Sequence, residues 1–311
     1  MRSLSILLLC LALTPAMSQH SDSVRQRSQY PSPMVENTRL HERIPPDTLE
    51  GIHKLIPDLL PRAIDVFVPQ RFTASRTFDI LIHFHGADYI TNYAASKAEH
   101  PAIALTVNLG SGSSVYNNGF VDTLTFPALL AKTREVVETA GGKAIKVRNV
   151  VLAGFSAGYG AIRRIMSTGE NYRMVDGALL LDGIHASYVP ERTVLAEGGT
   201  IESAHVATFL GLAADAAQPG SAKTFIITHS TVFPGTFVST TEATDYILRS
   251  LGMKRTPVLE WGPLGMQQVS ESRKGRFAVL GFAGNSGVDH GDHLHALYHF
   301  YGMIIKELER R

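Results

Sequence analysis

VRNVVLAGFSAGYG, residues 147–160, decides the reading of this chain. Val150, Val151, Leu152 and Ala153 form an apolar run with no polar alternation, the pattern of a strand buried on both faces. Gly154-Phe155-Ser156-Ala157-Gly158 follows at once. Ala161, Ile162, Ile165 and Met166 then recur at helical spacing. Strand, G-x-S-x-G, helix is the context in which a serine sits on a strained turn and projects its hydroxyl from a sheet edge. Glycines two before and two after let the backbone fold that sharply. The Ala157 N–H, at the helix start, can then face a developing oxyanion. Ser156 is therefore the candidate nucleophile.

Bulk properties narrow the class. The 311 residues are 44% hydrophobic and 18% charged, a globular balance that can bury a large core. A formal net charge of +1 leaves no nucleic-acid footprint, and no basic cluster argues for a membrane surface. Arg2, the apolar block Leu4–Leu13 and Thr14-Pro15-Ala16-Met17-Ser18 read as a signal peptide over residues 1–18, too short to span a bilayer. Secretion or a periplasmic location is expected, with no stable membrane span after cleavage. Cys10, the one cysteine, lies inside that block, so the mature chain is expected to fold without disulfides. Residues 19–46, including QRSQYPSPMVENTRLHERIPP, lack periodicity and read as an extended arm in which Arg39, His41 and Arg43 are solvated.

From residue 47 to 311 a single domain is expected. RAIDVFVP (62–69) reads as an outer strand, and FDILIH (78–83), AIALTV (102–107), 175–181, TFIIT (224–228) and FAVLGFAG (277–284) as further strands. LGSGSSVYNNGF (109–120) reads as a loop. Helices are expected over 123–140, near 203–217, from the capping box Ser239–Glu242 to about Leu251, and at the C-terminus to about Leu308. The stretch from about 186 to 221 is a lid-like insertion, and 258–271 a small hairpin. Alternating strands and helices imply an α/β fold: a mainly parallel sheet with helices on both faces.

A serine hydroxyl needs a base, and the base needs an orienting acid. In an open α/β sheet both must come from loops at the carboxyl ends of strands. The last such loop, NSGVDHGDHLHAL (285–297), offers His290 in the loop proper and His293 at the start of the following helix, with His295 beyond. Asp182 ends the strand after the elbow helix. Glu242, Asp245 and Asp289 are the other candidate acids. Gly86 or Ala87, at the end of FDILIHFHGA, can supply the second oxyanion N–H beside Ala157, while His83 and His85 pack within that loop. His85, Ser114, Tyr116 and His185 are candidate pocket residues.

The series FDILIHFHGA, VVLAGFSAGYG, LLLDGIH and DHGDHLHAL resembles the α/β-hydrolase-fold serine hydrolases, from about Arg62 to the C-terminus. The resemblance implies cleavage of an ester, thioester, amide or peptide through an acyl-enzyme, most simply as a carboxylesterase, with no cofactor and no metal. The substrate would be a small-molecule or polymeric acyl compound. The order Ser156, Asp182, His290 agrees with that family. Two departures stand out: no acid directly follows the strand ending at Thr228, and the last loop is rich in histidine. Two other readings compete. His83-x-His85 and His290-x-x-His293-x-His295 could hold zinc in a metal-dependent hydrolase. The fold could also serve non-catalytic binding.

Overall fold

The computed structural model describes Ile44 and residues 49–310. The expected signal peptide, and the arm with Arg39, His41 and Arg43, lie outside the described residues, apart from Ile44, which is buried.

Ten strands form one sheet. In chain order they are β1 (Gly51–Ile56), β2 (Ile64–Pro69), β3 (Thr77–Phe84), β4 (Ala102–Val107), β5 (Lys146–Phe155), β6 (Gly177–Leu181), β9 (Thr224–His229), β10 (Thr256–Trp261), β11 (Gln267–Lys274) and β12 (Phe277–Phe282). Their order in space is β1-β2-β4-β3-β5-β6-β9-β12-β11-β10. The six central strands, β4 to β12, run parallel, and antiparallel pairs close both sides. The short strands β7 (Tyr188–Val189) and β8 (Thr200–Ile201) form a separate ribbon.

The apolar runs of the central strands explain their burial, because helices cover both faces. Side chains alternate between two cores as the pleat demands. Ile80, Ile82 and Leu152 face one core, made with α3 (Thr125–Gly141), α4 (Tyr159–Met166), α6 (Ser203–Ala216) and α7 (Thr240–Ser250). Leu81, Val151 and Ala153 face the other, made with α1 (Asp88–Lys97) and α9 (Leu297–Glu309). Phe209 and Phe225 are fully buried in the first core, where truncation to Ala costs about 3–5 kcal/mol. Helix α6, at the heart of the 186–221 segment, contributes Val206, Phe209 and Leu212 to that core. The stretch before it holds the β7–β8 ribbon and is tied by a bridge between Ala186 and Val238 to the chain that follows β9.

Several expectations change. β2 is second from the edge, because an unexpected strand, β1, pairs along its whole length. The glycine-serine loop contains a helix, α2 (Ser113–Gly119), anchored by the buried Tyr116. Helix α5 (Gly169–Met174) follows α4. The 258–271 hairpin is β10–β11, and it extends the main sheet. His290 lies in a helix, α8 (Gly287–His295), opened by a capping box between Ser286 and Asp289.

Register decides what meets at the carboxyl edge. Phe84 is level with Gly154, Phe155 with Leu181, and Leu181 with Thr228. The residues just past the ends of β3, β5, β6 and β9, which are His85, Ser156, Asp182 and Ser230, therefore emerge along one rim.

Candidate active site

Three of those rim residues carry strained backbone. His85, Ser156 and Asp182 have φ of 70°, 45° and 44°. Side chains other than glycine rarely adopt such angles, and they persist only where the surroundings impose them. The imposing contacts are visible. Gly158 presses the elbow onto β3, since a Cβ there would stand 2.2 Å from the Phe84 carbonyl oxygen. Gly183 packs on the nucleophile turn, where a Cβ would stand 2.6 Å from the Ser156 nitrogen. Asp182 and Ser156 are thus held against each other through a backbone contact that only glycine permits.

The Asp182 carboxylate, almost wholly buried, accepts a hydrogen bond from His290 Nδ1 at 2.7 Å on Oδ2. The same oxygen accepts from Ser230 Oγ. Burial alone would raise the Asp182 pKa. The bond from His290, the positive potential of His293 and His290, and the Ser230 hydroxyl outweigh it and hold the carboxyl well below the usual carboxylate range. His290 lies against Phe155, ring centres 4.6 Å apart, and Phe155 stacks on His85 at 5.8 Å. The residue beside the nucleophile is therefore a spacer between the base candidate and the β3 loop. Gly86 packs near Leu294 of α8, and Ala87 caps α1. The loop bearing the second candidate oxyanion N–H is thereby tied to the helix that carries His290.

The other candidates fall elsewhere. His293 is fully buried between Phe282 and Phe300 and bonds the Thr228 hydroxyl through Nδ1 at 2.8 Å, so it serves the core and not the nucleophile. Burial lowers its pKa to about 4. Glu242 accepts from Tyr188 Oη at 2.8 Å and caps α7 through Ser239. Asp245 pairs with Arg255 and Asp289 caps α8. None of these three carboxylates is bonded to His290. Among the described residues no group of three His, Cys, Asp or Glu side chains is arranged to hold a metal ion. His83 is fully buried, with its pKa lowered to about 3 by burial and then by His85.

A cleft of about 460 Å³ opens over Ser156 and Ala157, bounded by Ser113, Tyr159, His185 and Phe237. His185 is among its lining residues. Two expectations are corrected. Ser114 is exposed, and its neighbour Ser113 takes the wall. Tyr116 is buried behind the wall, its hydroxyl held by the Leu109 N–H, the Gly110 carbonyl and His85 Nδ1. The bond to Tyr116, at 3.0 Å, and the stack on Phe155 likewise turn His85 into support for the rim and not a pocket residue. The sequence reading missed Ser230 as a partner of Asp182. The available signal was its place just past β9, beside the strand that ends at Asp182. It also missed Arg163 and His205, which line the cleft; only the packing of α4 against α6 brings these two together.

No protein-family model matches the chain, and no curated protein matches it. Solved structures similar to it include two fungal esterases from Rhizomucor miehei, at 10% identity and TM-score 0.49, over 96% of this chain and 94% of that one. A feruloyl esterase module from Clostridium thermocellum is similar at 13% identity and TM-score 0.48, over 84% and 92%. Esterase B from Lactobacillus rhamnosis is similar at 10% and 0.48, over 89% and 90%. The strand order of the parallel sheet, the reversed β2 beside it, and the serine turn between β5 and α4 make this an α/β-hydrolase fold.

Proposed function

We propose that the protein is a serine hydrolase that cleaves an ester, or an amide, through an acyl-enzyme, and that it works as an exported carboxylesterase. Ser156 Oγ attacks the acyl carbon and its proton passes to His290 Nε2. That nitrogen is the basic one because Nδ1–H is committed to Asp182. The N–H of Ala157, with that of Gly86 or Ala87, receives the carbonyl oxygen as it becomes an oxyanion. The tetrahedral intermediate collapses, the acyl–oxygen bond breaks, and His290 returns the proton to the departing alcohol. Water, deprotonated by the same imidazole, then releases the acid and restores Ser156. Export rests on the pattern at residues 1–18.

One observation carries the reading. The Asp182–His290 pair and the strained Ser156 meet at a single rim, joined by the Gly183 and Phe155 contacts. A fluorophosphonate probe tests it. The folded wild-type chain should be labelled at Ser156 and Ser156→Ala should not. A folded wild-type chain that takes no label and hydrolyses no activated ester overturns the proposal.

A further inference from the structure

The cleft over Ser156 has an unbalanced charge. Among the described residues that wall it, Arg163 bears the only formal charge, and none is acidic. Arg163 stands one turn beyond Tyr159 on α4, half-buried, and makes no ion pair among the described residues. Its guanidinium lies 5.5 Å from the centre of the Tyr159 ring. That ring is itself fixed: its hydroxyl donates to Ser113 Oγ at 3.2 Å, and its edge meets His185 at 5.6 Å between ring centres. A cation held on a fixed aromatic face, with its planar donors unspent on carboxylate, suits bidentate recognition of an oxyacid.

The neighbours agree in sign. His205 Nδ1 accepts the backbone N–H of Ser187 at 3.2 Å, so the neutral ring keeps its proton on Nε2 as a further donor. His185 donates Nδ1–H to the Val238 carbonyl at 3.1 Å, and burial lowers its pKa to about 4, so it adds no competing charge at neutral pH. Phe237 meets His185 edge-on at 4.9 Å and completes an apolar aromatic side to the cleft.

We infer that the cleft selects anionic esters: the portion of the substrate lying in it carries a carboxylate, which Arg163 binds with help from His205. The inference rests on the hydrolase reading for its turnover, but not for its binding. It assigns Arg163 as a specificity-determining residue.

Matched ester pairs test it. Mono-4-nitrophenyl adipate against 4-nitrophenyl hexanoate places the carboxylate on the acyl side. 4-Carboxyphenyl hexanoate against phenyl hexanoate places it on the alcohol side. Wild type should favour the anionic member of at least one pair, and that preference should weaken as salt rises. Arg163→Gln should cut the anionic-to-neutral ratio of kcat/KM by about tenfold or more, mainly through KM, and Arg163→Lys should restore part of it. Wild type that favours the neutral member of both pairs, or a ratio untouched in Arg163→Gln, overturns the inference. If the fluorophosphonate probe leaves Ser156 unlabelled and no ester turns over, the hydrolase reading fails separately. Calorimetric titration with adipate and with 4-hydroxybenzoate then decides the anion site. Binding lost in Arg163→Gln upholds it, and the absence of binding, or equal binding in both chains, overturns it.

Discussion

Asp182 Oδ2 and His290 Nδ1 stand 2.7 Å apart, although 108 residues of chain separate them. The pair fixes the imidazole tautomer and its orientation. Asp182→Asn keeps the shape but removes the acceptor charge that holds Nδ1–H in place. Turnover of an activated ester should fall about 10³–10⁴-fold, with the melting temperature changed far less. A variant that retains a tenth of wild-type kcat would remove Asp182 from the role.

Ser230 offers a finer probe. Its hydroxyl shares Asp182 Oδ2 with the imidazole, and it is buried. Ser230→Ala withdraws one stabilising bond from the carboxylate, so the Asp182 pKa should rise towards the ordinary range. The acid limb of the kcat/KM–pH profile should move to higher pH, and kcat should drop by about tenfold, the order set by one hydrogen bond to a charged group. An unshifted limb together with an unchanged kcat would make Ser230 a packing residue only.

Gly158 tests the strain at the elbow. A methyl group there would meet the Phe84 carbonyl, which is backbone and cannot swing aside. Gly158→Ala should therefore move the turn off β3. The expected cost is about 1–3 kcal/mol, read as a lower urea midpoint, with loss of fluorophosphonate labelling at Ser156. Full labelling at wild-type stability would show that the turn tolerates displacement.

Acid should unfold the protein early. Burial lowers His85, His185, His229 and His293 to about 4 and His83 to about 3, against backbone hydrogen bonds and the Asp182 carboxylate, which pull several of them the other way. An unfolded chain titrates histidine near 6.5. Below that pH the unfolded state binds more protons than the native state, so stability is full above about 6.5 and falls as pH drops towards 4. Urea midpoints should hold between pH 8 and 7 and decline steadily from 6.5 to 4.5. A flat midpoint across the lower range would mean that these rings are charged or solvated in the native state.

The site was legible to different depths in the sequence. Ser156 could be proposed because its evidence is local: a run of four apolar residues, two small residues and a helical repeat lie within about 20 positions. Asp182 could be proposed because a fully buried strand ends on it. His290 was placed in a loop, although the chain there is helical. Ser286 and Asp289 spell the helix start, but four polar residues among Asp289, His290, Asp292 and His293 hide the apolar period. Helix α2 is built from Ser, Asn and Gly, poor helix formers, and the burial of Tyr116 overrides that propensity. β1 escaped notice because it is half-exposed and becomes a strand by pairing with β2. The charge of the cleft could not be read at all. Arg163 and His205 are 42 residues apart, and their meeting depends on how α4 and α6 lie over the sheet.

Asp182, the proposed acid, directly follows β6, the immediate neighbour of the strand that leads into Ser156, and not β9. On the proposed triad, proton handling is confined to the ends of adjoining strands and α8, and the chain leaving β9 has no part in it beyond Ser230. That chain, residues 231–238, carries Phe237, which lines the cleft. It can lengthen, shorten or change its tip while the relay below stays intact, which makes it the natural segment to exchange when a different guest is to be admitted.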